Sequence, residues 1–161
     1  MAAEENKRVV FRFFDELWNE RRLSAAADLF SPDCVTHQLR SCAADAPAAA
    51  PRTPEILKAH VAEWLSAFPD IHFAVEQVVA EGNLVAVRCT ATGTHTGSWL
   101  GIPPTGKHVS IRMAVSYRLD AGQIAEDWVL VDFLGVFQQL GLVAPTSQLV
   151  QNSHEAGSAP S

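Results

Sequence analysis

The feature that most constrains this chain is a change of hydrophobic period near residue 71. Before it, apolar side chains recur at helical spacing. After it they alternate in the period of two that marks half-buried strands. From about Glu4 to Glu20, residues Val9, Val10, Phe13, Phe14, Leu17 and Trp18 share one helical face. A shorter helix is predicted from Leu23 to Phe30, stopped by Ser31-Pro32-Asp33 because proline disfavours helix at the residue before it. Cys34 to Leu39 reads as a short strand. Arg40 to Pro54, rich in proline and alanine, reads as a loop able to act as a lid. Helical spacing returns from Pro54 to Phe68 through Leu57, His60, Val61, Trp64 and Leu65.

From Ile71 the alternation predicts a hairpin, Ile71 to Ala80 and Leu84 to Thr94, turning at Glu81-Gly82-Asn83. Val109 to Leu119 and Ile124 to Phe133 predict a second antiparallel pair. Leu134 to Leu142 reads as a short helical or irregular cap, and Ala144 to Ser161 as a disordered tail. Helices followed by antiparallel strands define an α+β domain, here residues 1–143, in which a curved, mainly antiparallel sheet wraps around N-terminal helices. Such a cone leaves a pocket at one end, and a small-molecule site is the default expectation.

The 161 residues suit one domain with a real core. A net charge of −6, without clustered Lys and Arg, argues against nucleic acid as a partner. No apolar run approaches the ~18 residues of a spanning helix, so no membrane is expected. Cys34, Cys42 and Cys89 are odd in number and lack CxxC spacing, and the polar start MAAEENKR has no secretory core, which predicts a reducing, cytoplasmic setting. The six histidines form no HxH or HExxH ligand spacing, so no metal is implied, and no phosphate loop implies a nucleotide cofactor.

Two segments carry the candidate chemistry. Gly93 to Lys107 (GTHTGSWLGIPPTGK) is a glycine-punctuated corner, and Glu126 to Gly135 (EDWVLVDFLG) places Asp132 among apolar residues. A carboxylate in an apolar chamber has its charged form disfavoured by desolvation, which makes it a better base near neutral pH. The alternative is a strand-end carboxylate that caps the Phe133-Leu134-Gly135 turn.

These motifs, with AFPDIHFAVEQVVAEGNLVAVRCTATGTHTG and YRLDAGQIAEDWVLVDFLGVFQQLG, resemble the SnoaL-like polyketide cyclase family of the nuclear transport factor 2-like superfamily, over about Asn6 to Val143. The resemblance implies a cone-shaped α+β barrel that usually self-associates through its sheet as a dimer or tetramer. It also implies closure of a ring in a polyketide-like substrate by an aldol, Michael or pericyclic route, with Asp132 as acid/base and no metal or organic cofactor. Isomerase and epoxide hydrolase activities occur on the same fold, and a non-catalytic binding or dimerisation module is a different reading. A hydrolase requires Glu126 or Asp127 beside Asp132 to orient water. The chain departs from relatives in carrying Asp127 where histidine commonly precedes the tryptophan of the last strand, and in its longer 40–54 segment.

His37 is the second catalytic candidate, suited to polarise a carbonyl or exchange a proton with Asp132. A hydrogen-bonded strand-end histidine is the equal alternative. His95 matches the family pattern but reads better as a brace for the corner. Arg88 and Arg112 are candidate anchors for an enolate or carboxylate, although a solvated or interface role is favoured for each. Trp18, Trp64, Trp99 and Trp128, with Phe14 and Tyr117, are candidate pocket walls. Glu126 and Trp128 share the strand parity of Asp132 and are expected on one face with it, whereas Tyr117 falls opposite Arg112 and Ser116.

Overall fold

A computed structural model of the chain describes residues 2–38 and 49–150. Residues 39–48, with Cys42 and most of the expected lid, lie outside the described residues, as do 151–161 of the expected tail with His154. Residues 146–150 are helical.

The first helix, α1 (Ala2–Arg12), widens into a π-helical turn at Phe13–Asn19 without a break. The wider turn brings Phe13, Phe14, Leu17 and Trp18 onto the buried side together. Such insertions are rare and tend to reshape a helix where function needs it. Asn19 ends it: its amide donates to the Phe73 carbonyl at 3.0 Å and its oxygen accepts from the Phe73 N–H at 2.8 Å. Arg21 then turns the chain with φ 58°. A 3-10 turn at Leu23–Ala25 leads into α2 (Ala26–Leu29).

The strand that follows is longer than the sequence suggests. β1 (Phe30–Gln38) starts before Pro32 rather than after it, because an edge segment tolerates a missing N–H. A short β2 (Ala50–Pro51) pairs with it antiparallel. Next, α3 (Pro54–Ala67) is opened by Thr53, whose hydroxyl accepts from the Ile56 N–H at 3.3 Å, and by proline in the first turn. Then come β3 (His72–Glu81), β4 (Leu84–Thr94), β5 (His108–Asp120), β6 (Gln123–Val131) and α4 (Phe133–Leu140).

The six strands form one curved mixed sheet in the order β2-β1-β6-β5-β4-β3. It is not closed: β2 and β3 are free edges, and β1 runs parallel to β6 while the other pairs are antiparallel. The helices fill its concave side, giving an α+β fold of the cone-shaped kind.

Alternation fixes which side chains face inward. On β4 and β5 the odd residues Val85, Val87, Cys89, Ala91, Val109, Ile111, Val115 and Tyr117 are buried. A register shift between Arg118 and Leu119 in the β5–β6 ladder breaks the phase on β6. Past it, Asp127, Val129 and Val131 line the inner side while Glu126, Trp128 and Leu130 face outward.

Candidate active site

The concave side holds a cavity of about 1000 Å³. One wall comes from the helical segment, with Phe13, Phe14 and Trp18. Another comes from α3 with His60, Glu63 and Trp64, and the sheet adds Phe73, Ile111, Tyr117 and Val129. The cavity reaches over the end of β6 to Asp132, Phe133 and Phe137, and its outer lip touches Arg112 and Leu130.

Aromatic rings form a continuous lining. Trp18 packs on Phe73 with centroids 4.6 Å apart, and Trp64 packs on Trp99 at 4.9 Å. Trp99 reaches Phe133 at 6.1 Å, so the ring chain runs from the helices to α4. Trp99 is held by the glycine corner. Thr96 and Gly97 both donate backbone N–H to the Ala67 carbonyl at the end of α3, each at 3.0 Å. A Cβ on Gly97 would lie 2.0 Å from the Ser66 carbonyl oxygen, so only glycine allows this approach. Beyond it, Leu100 and Gly101 take positive φ between the paired Trp99 and Ile102, a turn that left-handed residues favour.

His95 is fully buried within this corner. Its Nδ1 accepts from the Thr105 N–H at 3.3 Å and lies 3.1 Å from the Thr105 hydroxyl, while its ring packs on Phe68 and Trp99. It is not among the cavity-lining residues.

Asp132 is not the buried strand carboxylate that the apolar context suggests. The strand ends at Val131, and Asp132 is the exposed N-cap of α4, its side chain accepting from the Gly135 N–H at 2.9 Å. The lack of a Cβ at Gly135 makes this possible, since one would sit 2.3 Å from an Asp132 oxygen. Asp132 therefore caps the turn and borders the cavity mouth at once.

The buried carboxylate is its neighbour five residues earlier. Asp127 is 1 % exposed and lines the cavity. It accepts a short hydrogen bond from the Thr36 hydroxyl, its partner in the parallel β1–β6 register. Arg52 approaches with Nε 3.5 Å from the second carboxylate oxygen. Arg52 is placed by its own backbone N–H, which donates to the Cys34 carbonyl at 2.7 Å beside β2. Gln38 donates to the Thr36 hydroxyl at 3.0 Å and also lines the cavity. Burial pushes the Asp127 pKa up, and the Arg52 charge and the Thr36 bond offset only part of that. Tyr117 stands opposite Asp127 in the ladder; burial first, and then the Asp127 charge, holds its phenol well above the usual range.

The structure separates the other expected residues into two groups. Phe14, Trp18, Trp64 and Tyr117 line the cavity. His37 and Trp128 lie on the outer face, away from Asp132: their rings stack at 5.0 Å, and His37 Nε2 is 2.7 Å from Glu126. The Arg118 Nε donates to Glu126 at 2.8 Å, and this bond and the His37 contact hold the Glu126 carboxyl below its ordinary range. Trp128 thus shares a face with Glu126, as parity requires, but it is the outer face. Arg88 and Arg112 have outward parity yet both border the cavity; the Arg88 side chain is 62 % exposed and paired with Glu76 at 2.8 Å.

Sequence reasoning passed over Asp127, Arg52, Thr36 and Gln38 as site residues. The replacement of the commonly found histidine by Asp127 was the available signal. Among the described residues, no group of three or more His, Cys, Asp or Glu side chains is arranged to hold a metal ion. No helix among them is long and apolar enough to cross a membrane.

A half-open α+β cone with an aromatic-lined cavity and carboxylates at its wall and mouth is the architecture of a protein that encloses a small molecule. The pattern that defines the SnoaL-like polyketide cyclase family matches residues 8–140, and the chain belongs to that family. Among solved structures it is similar to IdmH from Streptomyces antibioticus, a proposed polyketide cyclase, with 31% identity, 84% of this chain and 98% of that chain covered, and a TM-score of 0.72. A proposed SnoaL-like polyketide cyclase from Jannaschia sp. CCS1 shares 28% identity over 89% of this chain and 94% of that one, with a TM-score of 0.75. AclR from Streptomyces galilaeus, a proposed hydroxylase, shares 26% identity over 96% of this chain and 94% of that one, with a TM-score of 0.76. Among curated proteins, no sequence matches.

Proposed function

We propose that this protein closes a ring in a polyketide-like chain within the aromatic cavity, by acid/base catalysis and without a metal or organic cofactor. The observation that carries the reading is the cavity itself. At about 1000 Å³ it suits a folded chain of ten or more heavy atoms, and carboxylates are placed at its wall and mouth. Aromatic walls fold a flexible chain toward its reactive conformer, which lowers the barrier by restricting motion before the chemical step. A carboxylate then removes a proton from an activated carbon and returns one to the developing alkoxide. Asp132 is the position the resemblance marks for this, and Asp127 is the second carboxylate on the cavity.

The hydrolase alternative loses support, because neither Glu126 nor Asp127 pairs with Asp132. Glu126 is bound to His37 and Arg118 outside, and Asp127 to Thr36 and Arg52 inside. The binding-module alternative is favoured by the exposed Asp132, but Trp128 is outside and the chamber is open rather than filled, which supports a site that admits a substrate. Self-association through the outer sheet face belongs to the same proposal, supported by the exposed Val79, Leu84 and Leu130 there.

The test is incubation with a linear aryl poly-β-ketone, followed by mass spectrometry and NMR. The reading predicts a ring-closed isomer, or its dehydrated form, and loss of that product when Val129→Trp fills the cavity. Product formation undiminished by the filled cavity, or none from the wild type, sinks it.

A further inference from the structure

Asp127 and Arg52 have no part in the chemistry that resemblance assigns to this chain, yet they form a charged pair in the wall of an otherwise apolar cavity. Arg52 is nearly as sheltered as its partner, with 11 % of its side chain exposed. Burying a carboxylate and a guanidinium is unfavourable unless hydrogen bonds and geometry compensate. Their contact through Nε at 3.5 Å is long, and it is not the close parallel fork that a guanidinium and a carboxylate form at their best. The cavity thus presents a basic oxygen and a cationic N–H group side by side.

That pairing matches one chemical event. We propose that Asp127 and Arg52 are the enolisation site of this protein, Asp127 taking the α-proton of a ketone and Arg52 carrying the enolate oxygen. The proposal rests on the ring-closure reading only for the step that follows. The α C–H bond breaks and its proton passes to an Asp127 oxygen. The electron pair moves into a C=C bond as the carbonyl oxygen becomes an enolate beside Arg52. The enolate carbon bonds to a second carbonyl carbon of the same chain, and the resulting alkoxide takes the proton back from Asp127. Atoms and charge balance, and no oxidant or reductant is consumed.

The surroundings suit the task. Thr36 fixes one carboxylate oxygen, and Gln38 fixes Thr36 in turn, so the group is oriented before substrate arrives. Burial raises the carboxylate's pKa and so its basicity, and the Arg52 charge offsets part of the rise. The charged or titratable groups on the same side as Asp127 are Arg52, Tyr117 on β5 and Cys34 on β1, and His37 and Glu126 act on it electrostatically from the outer face. His60 and Glu63 on α3 border the same cavity. Asp132 lacks comparable placement. An exposed cap oxygen sits in water, and five residues of extended strand separate the two carboxylates by about 16 Å of backbone, too far to serve one reacting carbon.

The experiment is proton–deuterium exchange of 4-phenylbutan-2-one in deuterated buffer, followed by NMR and expressed as a second-order rate above the buffer background. Wild-type protein is expected to accelerate exchange at the carbons beside the carbonyl. Asp127→Asn should lower the rate about 100-fold or more, the usual scale for a lost general base. Arg52→Gln should lower it at least about tenfold. The wild-type rate should rise with a single ionisation that is absent in Asp127→Asn. If Asp127→Asn does not fold, the double variant Asp127→Asn/Arg52→Gln, which removes both buried charges, replaces it. Wild type without acceleration, or a loss confined to Asp132→Asn, overturns the assignment. Exchange that depends on Asp127 without any ring closure leaves the enolisation site standing and removes the cyclase reading instead.

Discussion

Replacing Gly97 with alanine should destabilise the protein more than any other single-methyl change in the 93–107 corner. The added Cβ would lie 2.0 Å from the Ser66 carbonyl oxygen, 2.8 Å from its carbon and 3.0 Å from the Ala67 Cα. All three are backbone atoms at the end of α3, so no side-chain rotation relieves the contact and the corner must move by about 1 Å. That movement breaks the Thr96 and Gly97 hydrogen bonds to the Ala67 carbonyl, worth about 1 kcal/mol each. It also loosens Trp99, now buried against Trp64, Phe68 and Phe133, at a further cost of about 1–2 kcal/mol. The sum is about 3–4 kcal/mol, or roughly 10 °C in Tm for a chain of this length. Gly101→Ala is the control: its φ is 77° but nothing lies within 4 Å, so only the left-handed strain of about 1–2 kcal/mol applies. Urea unfolding followed by tryptophan fluorescence measures both. A Gly97→Ala variant within about 0.5 kcal/mol of wild type, or no worse than Gly101→Ala, would falsify the close-approach argument.

Other consequences are separable. Asp132→Ala should cost about 1 kcal/mol through loss of the α4 cap, whereas Asp132→Asn should cost only a few tenths, since both Asp and Asn cap well; equal losses in denaturant titration would contradict the cap role. The folded protein holds the Asp127 proton to higher pH than the unfolded chain does, so ionisation there subtracts stability as pH rises from near 3.8 through the raised folded value. Asp127→Asn lacks that penalty and should gain stability relative to wild type across this window, and a flat or opposite trend in pH-resolved unfolding would refute the burial argument. Burial pushes the thiols of Cys34 and Cys89 up to about 12. Neither should alkylate with iodoacetamide at pH 8 in the native protein, as read by peptide mapping, until denaturant is added.

Much of the architecture was legible because it depends on local patterns. The helical spacing of Phe13, Phe14, Leu17 and Trp18 and the alternation through β4 and β5 gave both the elements and their buried sides. The π-helical widening was not legible, since it preserves the same apolar stripe while adding a residue to the turn. The inner face of β6 was misjudged for a related reason. Apolar residues flank Asp132 on both sides, so composition made it look buried, whereas the shifted ladder and the end of the strand at Val131 leave it outside. In the sequence Asp127 stands out only as a departure from relatives and as a possible partner of Asp132, and its pairing with Thr36 reveals the inward orientation. The sequence leaves the catalytic and the hydrogen-bonded readings of His37 equal because its partner, Glu126, is set by a parallel neighbour, β6, and the pairing of distant strands is not written in either strand alone. Arg52 could not be placed from its proline-rich context; a single backbone bond to Cys34 positions it.

The central claim is that substrate occupies the aromatic cavity on the concave side. The four indole N–H signals of a ¹⁵N-labelled sample, recorded while 1-phenylhexane-1,3,5-trione is added, test it most directly. Trp18, Trp64 and Trp99 line the cavity, and Trp128 stacks on His37 outside. Saturable shifts of the first three with Trp128 unmoved are the predicted result. A shift confined to Trp128, or none at any of the four while the trione binds, would contradict the account.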